Sequence, residues 1–330
     1  MSTNKICKIG LLGAARITPP ALIVPAGENA SAHVTAIAAR ETSRAQAFAK
    51  EHKIPQVFDN YQALIDDPDI DLVYNALPAS LHHPWTLKAL DAGKHVLCEK
   101  PVALDSVQAR AMVEHAKSRG RLMIEAFHYR YHPLIQKVIE LLESGAIGKV
   151  KDLEGIFNVS IQDTSDIRYQ KALGGGALMD LGCYPVHWLR TCMGEEPEVV
   201  SASARTTDSG VDVSLQGEFC FAEGVTGRVA CSMAPDQKMV NSLKIEGTEG
   251  SMDVINPLVP QHGYKLTVQN KSGIEDIRVE GRSTYQHQLD AVIDLLQGKG
   301  TQITGGEDCI NNMSAIESLY RAAGVPGFSD

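Results

Sequence analysis

The first 125 residues alternate short apolar runs with stretches of helical period, and this rhythm constrains the fold more than any other feature. "KICKIGLLGA", "AHVTAIAAR", "DIDLVYNALP" and "KHVLCEKP" read as buried strands. "SRAQAFAKEHK", "HPWTLKALDAGK" and "SVQARAMVEHAKSRG" read as the helices between them, the last two ending in Gly or basic residues as helices tend to. Short apolar strands separated by helices imply a parallel, doubly wound α/β sheet.

After "RLMIEAFHYRYHP" the grammar changes. A helix over "LIQKVIELLESG" leads into longer alternating runs, "KDLEGIFNVSIQ", "VVSASARTT", "VSLQGEFCF", "GVTGRVACSM", "NSLKIEGTEGSMDVI" and "YKLTVQN", divided by glycine and charged turns. Such runs predict an open, mostly antiparallel sheet, closed by helices near 283–297 and 307–323. With 330 residues the chain has length for two domains. The expected division is 1–124 for the parallel sheet and 125–330 for the α+β remainder.

Composition excludes several function classes. No apolar run approaches the roughly 18 residues that span a bilayer, so no membrane partner is expected. The start "MSTNKICKIGLLGAARI" lacks the pattern of a secretory leader, and seven cysteines without C-x-x-C pairs fit reduced thiols. The expectation is a cytoplasmic protein. A net charge of -9 without a Lys/Arg block argues against general attraction to nucleic acid.

"IGLLGAARIT" places Gly13 between the first strand and a helix, where a dinucleotide-binding turn belongs. The G-x-G-x-x-G spacing falls on Gly13, Ala15 and Thr18, so only the first glycine is present, and a structural turn is the alternative. The second strand ends at Arg40, where an acidic residue would select NAD. Arg40 and Arg44 suit the 2'-phosphate of NADP, although both are also ordinary solvated charges at a helix start, and Glu41 weakens strict selectivity. The expected cofactor is NADP, with NAD as the alternative.

"GLLGAARI", "DIDLVYNALPASLHHPWTLKALDAGKHVLCEKP" and "GGGALMDLGCYPVHWL", in that order, make the chain resemble the glucose-fructose oxidoreductase and inositol dehydrogenase (Gfo/Idh/MocA) family over nearly its whole length. "GAARI" and "EAFHYRYHP" are most similar to the branch of dimeric trans-dihydrodiol dehydrogenases and NADP-dependent D-xylose 1-dehydrogenases. The resemblance implies an N-terminal Rossmann domain and a C-terminal open-sheet domain, whose face commonly forms the contact of a homodimer or larger homo-oligomer. It departs at Ala15 and at Ala79, where many relatives have Asn. The residues expected against the cofactor are Gly13, Ala15, Arg16, Ile17, Arg40, Arg44, Leu77, Pro78, His82 and Glu99.

In an open parallel sheet, ligands bind beyond the carboxyl ends of the strands, and Glu99-Lys100-Pro101 sits at such an end. Lys100 there can hydrogen-bond a substrate hydroxyl and favour its alkoxide beside a nicotinamide. Glu99 can orient that ammonium or the cofactor ribose, and the resemblance implies a cis Lys100–Pro101 bond. The plain reading is a surface ion pair at a strand end.

Gly174–Gly176 allow close backbone approach before a helix carrying Asp180, Tyr184 and His187 at spacings of four and three, which can share one face. Many relatives have histidine where this chain has Tyr184. The resemblance makes Tyr184 the general acid/base, and a phenol with an ordinary pKa near 10 needs a neighbouring cation such as Lys100 for that task. Asp180 then anchors the site or the substrate, or is a helix-surface carboxylate; His187 is a second base or a packed structural histidine.

Further substrate contacts are expected from His128 and from Arg168, the latter holding a substrate hydroxyl or carboxylate or simply pairing with an acid. Phe127 and Arg130 can line the cleft, while Phe127, Tyr129 and Tyr131 fit a core equally. His128 and His132 have helical metal-ligand spacing but no third ligand, so no metal is expected. Taken together, the expected activity is hydride transfer between NAD(P) and a C–H(OH) carbon of an aldose, polyol or cyclic vicinal diol. The alternatives are NADPH-dependent reduction of a ketosugar or dicarbonyl, and a non-catalytic dinucleotide-binding sensor.

Overall fold

The computed structural model describes residues 6–328, so Lys5, which opens the first expected run, lies outside them. The chain divides into two compact units, one made of the N-terminal part up to Ala103 with Val107–His128 and Tyr285–Ile310, the other of Leu104–Ser106, Tyr129–Thr284 and the C-terminal part from Asn311.

In chain order the elements up to residue 128 are β1 (Cys7–Leu12), a π turn (Pro19–Ile23) running into the short α1 (Val24–Gly27), β2 (Ala32–Ala38), α2 (Thr42–His52), β3 (Gln56–Phe58), α3 (Tyr61–Asp66), β4 (Leu72–Asn75), α4 (His82–Asp91), β5 (His95–Cys98), α5 (Ser106–Arg119) and β6 (Met123–Glu125). The six strands form one sheet in the order β3-β2-β1-β4-β5-β6, with every pairing parallel. Ile9, Leu11, Leu72, Val96 and Leu97 have no exposed surface, as expected of strands covered on both faces. This is the parallel, doubly wound sheet that the alternating runs predict.

The chain continues through α6 (Pro133–Glu143), β7 (Val150–Asn158), a π turn (Leu178–Gly182) leading directly into α7 (Cys183–Met193), β8 (Glu198–Thr206), β9 (Asp212–Cys220), β10 (Thr226–Ser232), β11 (Val240–Gly247), β12 (Gly250–Ile255), β13 (Lys265–Asn270), β14 (Gly273–Asp276), α8 (Thr284–Leu296) and α9 (Glu307–Ala322). Eight strands form the second sheet in the order β14-β13-β12-β11-β7-β10-β9-β8. Its neighbours are antiparallel except β7 and β10.

Period-two burial in β7 turns Leu153, Gly155 and Phe157 inward. Helix α7 packs closely on this face because glycine leaves room: a Cβ on Gly155 or Gly227 would lie 3.0 Å from the Leu189 side chain. The opposite face carries charge, with Arg228 bridging Asp152 at 2.7 Å and Glu154 at 3.4 Å.

Helix α8 belongs to the first unit. Leu289, Val292 and Ile293 join a core with Ile9, Leu11, Ile37, Leu97 and Ile124. No disulfide joins the seven cysteines, five of which are buried, and no helix of the described residues is long and apolar enough to cross a membrane.

Candidate active site

Parallel register gathers the N-terminal candidates along one edge. Leu12 pairs with both Ala38 and Asn75, Asn75 with Cys98, and Cys98 with Glu125. Gly13, Ala76, Glu99 and Ala126 therefore each stand one residue past a strand end, in the row where a parallel sheet binds its ligands.

Gly13 adopts φ +92°, and a Cβ there would lie 3.1 Å from Leu77 and 3.4 Å from the Ala76 carbonyl. Only glycine accepts both the conformation and the approach. Its N–H donates to the Ala38 carbonyl at 2.8 Å, fixing the turn to β2. Ala15 is half-buried, and Arg16 and Ile17 are exposed beyond the turn. Arg44 donates to the Ala14 carbonyl at 2.9 Å, so its guanidinium is stapled to the same turn. Arg40 stays 85% exposed, its nearest acid being Glu41 at 3.9 Å. These groups fit a dinucleotide: a tight turn with no side chain in the way, and two cations past β2 that no carboxylate among the described residues claims closely.

Beyond β5, Lys100–Pro101 is a cis peptide. Tyr74, buried in β4, donates its hydroxyl to Glu99 Oε1 at 2.5 Å, and burial with the Glu99 charge holds that phenol well above its ordinary pKa. Tyr74 was invisible as a site residue, because a tyrosine in an apolar strand has no spacing that separates it from core.

Lys100 acts electrostatically on two histidines of the same unit. Burial, reinforced by the Lys100 charge, pushes His128 down to about 3, and its ring stacks on Tyr285 with centroids 4.1 Å apart. The imidazole is thus neutral near pH 7 and suited to hydrogen bonding rather than to charge pairing.

His82 is enclosed by main chain. It is 1% exposed, with Nδ1 2.8 Å from the Pro101 carbonyl and Nε2 2.7 Å from the Leu77 carbonyl. Each ring nitrogen lies against a main-chain carbonyl, so the side chain braces the loops that carry Leu77 and Pro101. Leu77 is itself mostly buried, while Pro78 remains half-buried at the loop surface.

In the second unit, Asp180 lies in the π turn and Tyr184 in the first turn of α7. A π turn holds more residues than an α turn, so the regular i, i+4 relation expected between them does not apply. Arg168 binds Asp180 through Nε at 2.5 Å and Asp166 through Nη1 at 3.1 Å, which is the acid pairing foreseen as its second alternative.

Tyr184 is 5% exposed and sits in an aromatic cluster, edge-on to Phe157 and Tyr129 at 5.8 and 6.3 Å. His187 Nδ1 lies 2.5 Å from the Tyr129 hydroxyl and the ring is buried, which gives it the packed structural role. Phe127 and Tyr129, with no exposed surface, are core. His132 Nδ1 accepts the Leu134 N–H and caps α6.

Comparison with known proteins shows the family of the chain. Residues 7–127 match the model of the oxidoreductase family with the NAD-binding Rossmann fold, GFO/IDH/MocA, and residues 135–253 match a GFO/IDH/MocA C-terminal domain. The chain is 31% identical to D-xylose 1-dehydrogenase (NADP(+)) 2 of Haloferax volcanii, over 95% of this chain and 96% of the relative. It is 33% identical to dTDP-3,4-didehydro-2,6-dideoxy-alpha-D-glucose 3-reductase of Actinomadura kijaniata, over 96% and 95%. The crystal structure of aldose-aldose oxidoreductase from Caulobacter crescentus, complexed with glycerol, superposes with a TM-score of 0.89 at 27% identity, covering 97% of this chain and 98% of that one. The chain therefore belongs to the GFO/IDH/MocA oxidoreductases, with the family's NAD-binding Rossmann domain and its C-terminal domain both present.

Proposed function

We propose that the protein is an NADP-dependent dehydrogenase acting on a C–H(OH) carbon of an aldose, polyol or cyclic vicinal diol, with Lys100 and Tyr184 handling the proton. The observation that carries this reading is the row of Gly13, Ala76 and Glu99 at one edge of the parallel sheet, which brings the glycine turn and Lys100 to the same end. The D-xylose dehydrogenase and aldose-aldose oxidoreductase relatives support the substrate class and the first supports the cofactor.

The nicotinamide, when bound, supplies the hydride chemistry. Gly13, Ala15, Arg16 and Ile17 hold the pyrophosphate end, and Arg40 and Arg44 the 2'-phosphate. Glu99, held by Tyr74, orients the ribose or the Lys100 ammonium. Lys100 donates to the reacting oxygen and favours its charged form, so Tyr184 can exchange a proton with that oxygen near neutral pH. His128 presents a neutral ring to the substrate, and Arg168 presets Asp180.

Cofactor binding is assigned to the first unit, and substrate binding and self-association to the second, through the outer face of its sheet. Sedimentation of wild type against Arg228→Glu, which reverses a charge in the middle of that face, tests the last point: the variant is expected to shift toward monomer.

The central test follows nicotinamide absorbance with NADP or NAD and a panel of aldoses, inositols and trans-cyclic diols. Turnover with NADP is expected, and Tyr184→Phe should lower kcat by about 100-fold or more. Turnover only with NADPH and a keto-substrate would instead favour a reductase, the direction suggested by the dTDP-sugar relative. Tight cofactor binding with no turnover in either direction would favour a sensor.

A further inference from the structure

Two of the glycines before the site helix allow a close approach of protein groups. A Cβ on Gly175 would lie 2.5 Å from the Arg168 carbonyl oxygen. A Cβ on Gly176, which adopts φ +144°, would lie 2.2 Å from Asp212 Oδ1 and 2.8 Å from the Tyr320 hydroxyl. The backbone entering the π turn is thus pressed against a buried acid.

Asp212 opens β9 and is 2% exposed. Its Oδ2 accepts the Leu178 N–H at 2.7 Å, and its Oδ1 accepts the Tyr320 O–H at 2.8 Å from α9. The turn that starts at Leu178 has no side-chain cap of its own. The first N–H groups of a helical segment lack partners within it and carry partial positive charge, so an acceptor with negative charge there is worth most when buried. Asp212 supplies it from a different element.

We infer that Asp212, latched by Tyr320, is a positioning residue for proton transfer: it fixes the π turn that carries Asp180 and leads directly into the helix carrying Tyr184. The inference rests on the proposed role of Tyr184. Asp212 touches neither substrate nor cofactor in this scheme and acts through the helix.

The latch has a pH signature. Burial pushes the Asp212 carboxyl up to about 6, against the Leu178 and Ala177 N–H groups and the Tyr320 hydroxyl, which favour its charged form. The groups facing it are Tyr320 from α9, the Cys231 thiol from β10, itself raised by burial, and the main chain of the π turn. On acidification the carboxyl gains a proton, and the charge at the helix start disappears. Asparagine is the neutral isostere of that protonated state.

The test measures kcat and KM from pH 5 to 9, NADPH affinity by fluorescence, and melting temperature, for wild type, Asp212→Asn, Tyr320→Phe and Tyr184→Phe in the full chain. For wild type, kcat should fall as pH drops through about 6. Asp212→Asn should fold, bind NADPH within about twofold of wild type, lose about tenfold in kcat at neutral pH, and lack the acid limb. Tyr320→Phe, which removes a donor to the carboxylate, should move that limb to higher pH.

An unchanged profile in either folded variant overturns the inference. If Asp212→Asn does not fold, Tyr320→Phe decides alone. If Tyr184→Phe keeps full turnover, the proton-transfer reading itself fails, whatever the other two variants do.

Discussion

His82 has both imidazole nitrogens within 2.8 Å of main-chain carbonyls, one on each side of the loops that carry Leu77 and Pro101. His82→Ala would remove the one N–H that a neutral ring donates to these carbonyls and open a void, costing about 2 kcal/mol or more. Chemical denaturation checks that loss, and a raised KM for the cofactor with a smaller change in kcat is the expected kinetic trace. His82 is the last residue of "ALPASLH", and position at the end of a loop says nothing about which way a ring turns. Lys100 and Glu99 stood out through the family resemblance, since a charged pair at a strand end is by itself an ordinary surface ion pair. Tyr74 and Asp212 were not, since one polar residue in or beside an apolar strand leaves no periodic trace.

At the scale of elements, the helix carrying Tyr184 depends on a glycine that another element touches. Gly176→Ala combines a strained φ with a 2.2 Å approach to Asp212, and should destabilise the fold by on the order of 3 kcal/mol while lowering kcat. Gly263→Ala is the control: its φ of +100° is also strained, but nothing lies within 4 Å of the added carbon, so its cost should stay near 1 kcal/mol in the same denaturation experiment. Long periodic runs such as those of β7 and α5 were readable. β3 and β6, three residues each, are too short to alternate, and β14 is exposed along its whole length, so pairing alone makes it a strand. The π turn was unreadable for a different reason: its phase is set by what packs around residues 178–182.

For the whole molecule, acid should be destabilising. His82 and His95 are pushed down to about 4 and His128 to about 3, chiefly by burial. The native state therefore holds them neutral while the unfolded chain protonates them near 6.5, so their contribution is complete above about pH 6.5 and drains away as pH falls toward 4. Asp212 works the other way, its raised pKa favouring the native state as pH drops from about 6. Three groups outweigh one, and the melting temperature should fall between pH 7 and pH 5. Two domains were legible from the change in sequence rhythm, but the return of α8 to the first unit was not, because its partners lie more than 150 residues away.

That return has a consequence for how the protein is made. Leu289, Val292 and Ile293 complete the core built around Ile9, Leu11 and Leu97. A nascent chain that has emerged only to residue 128 therefore carries an open apolar seam. At a synthesis rate of about 5–20 residues per second the seam stays uncovered for on the order of ten seconds. The fragment ending there should be protease-sensitive and should depend on ribosome-associated chaperones, although it contains every strand of its sheet.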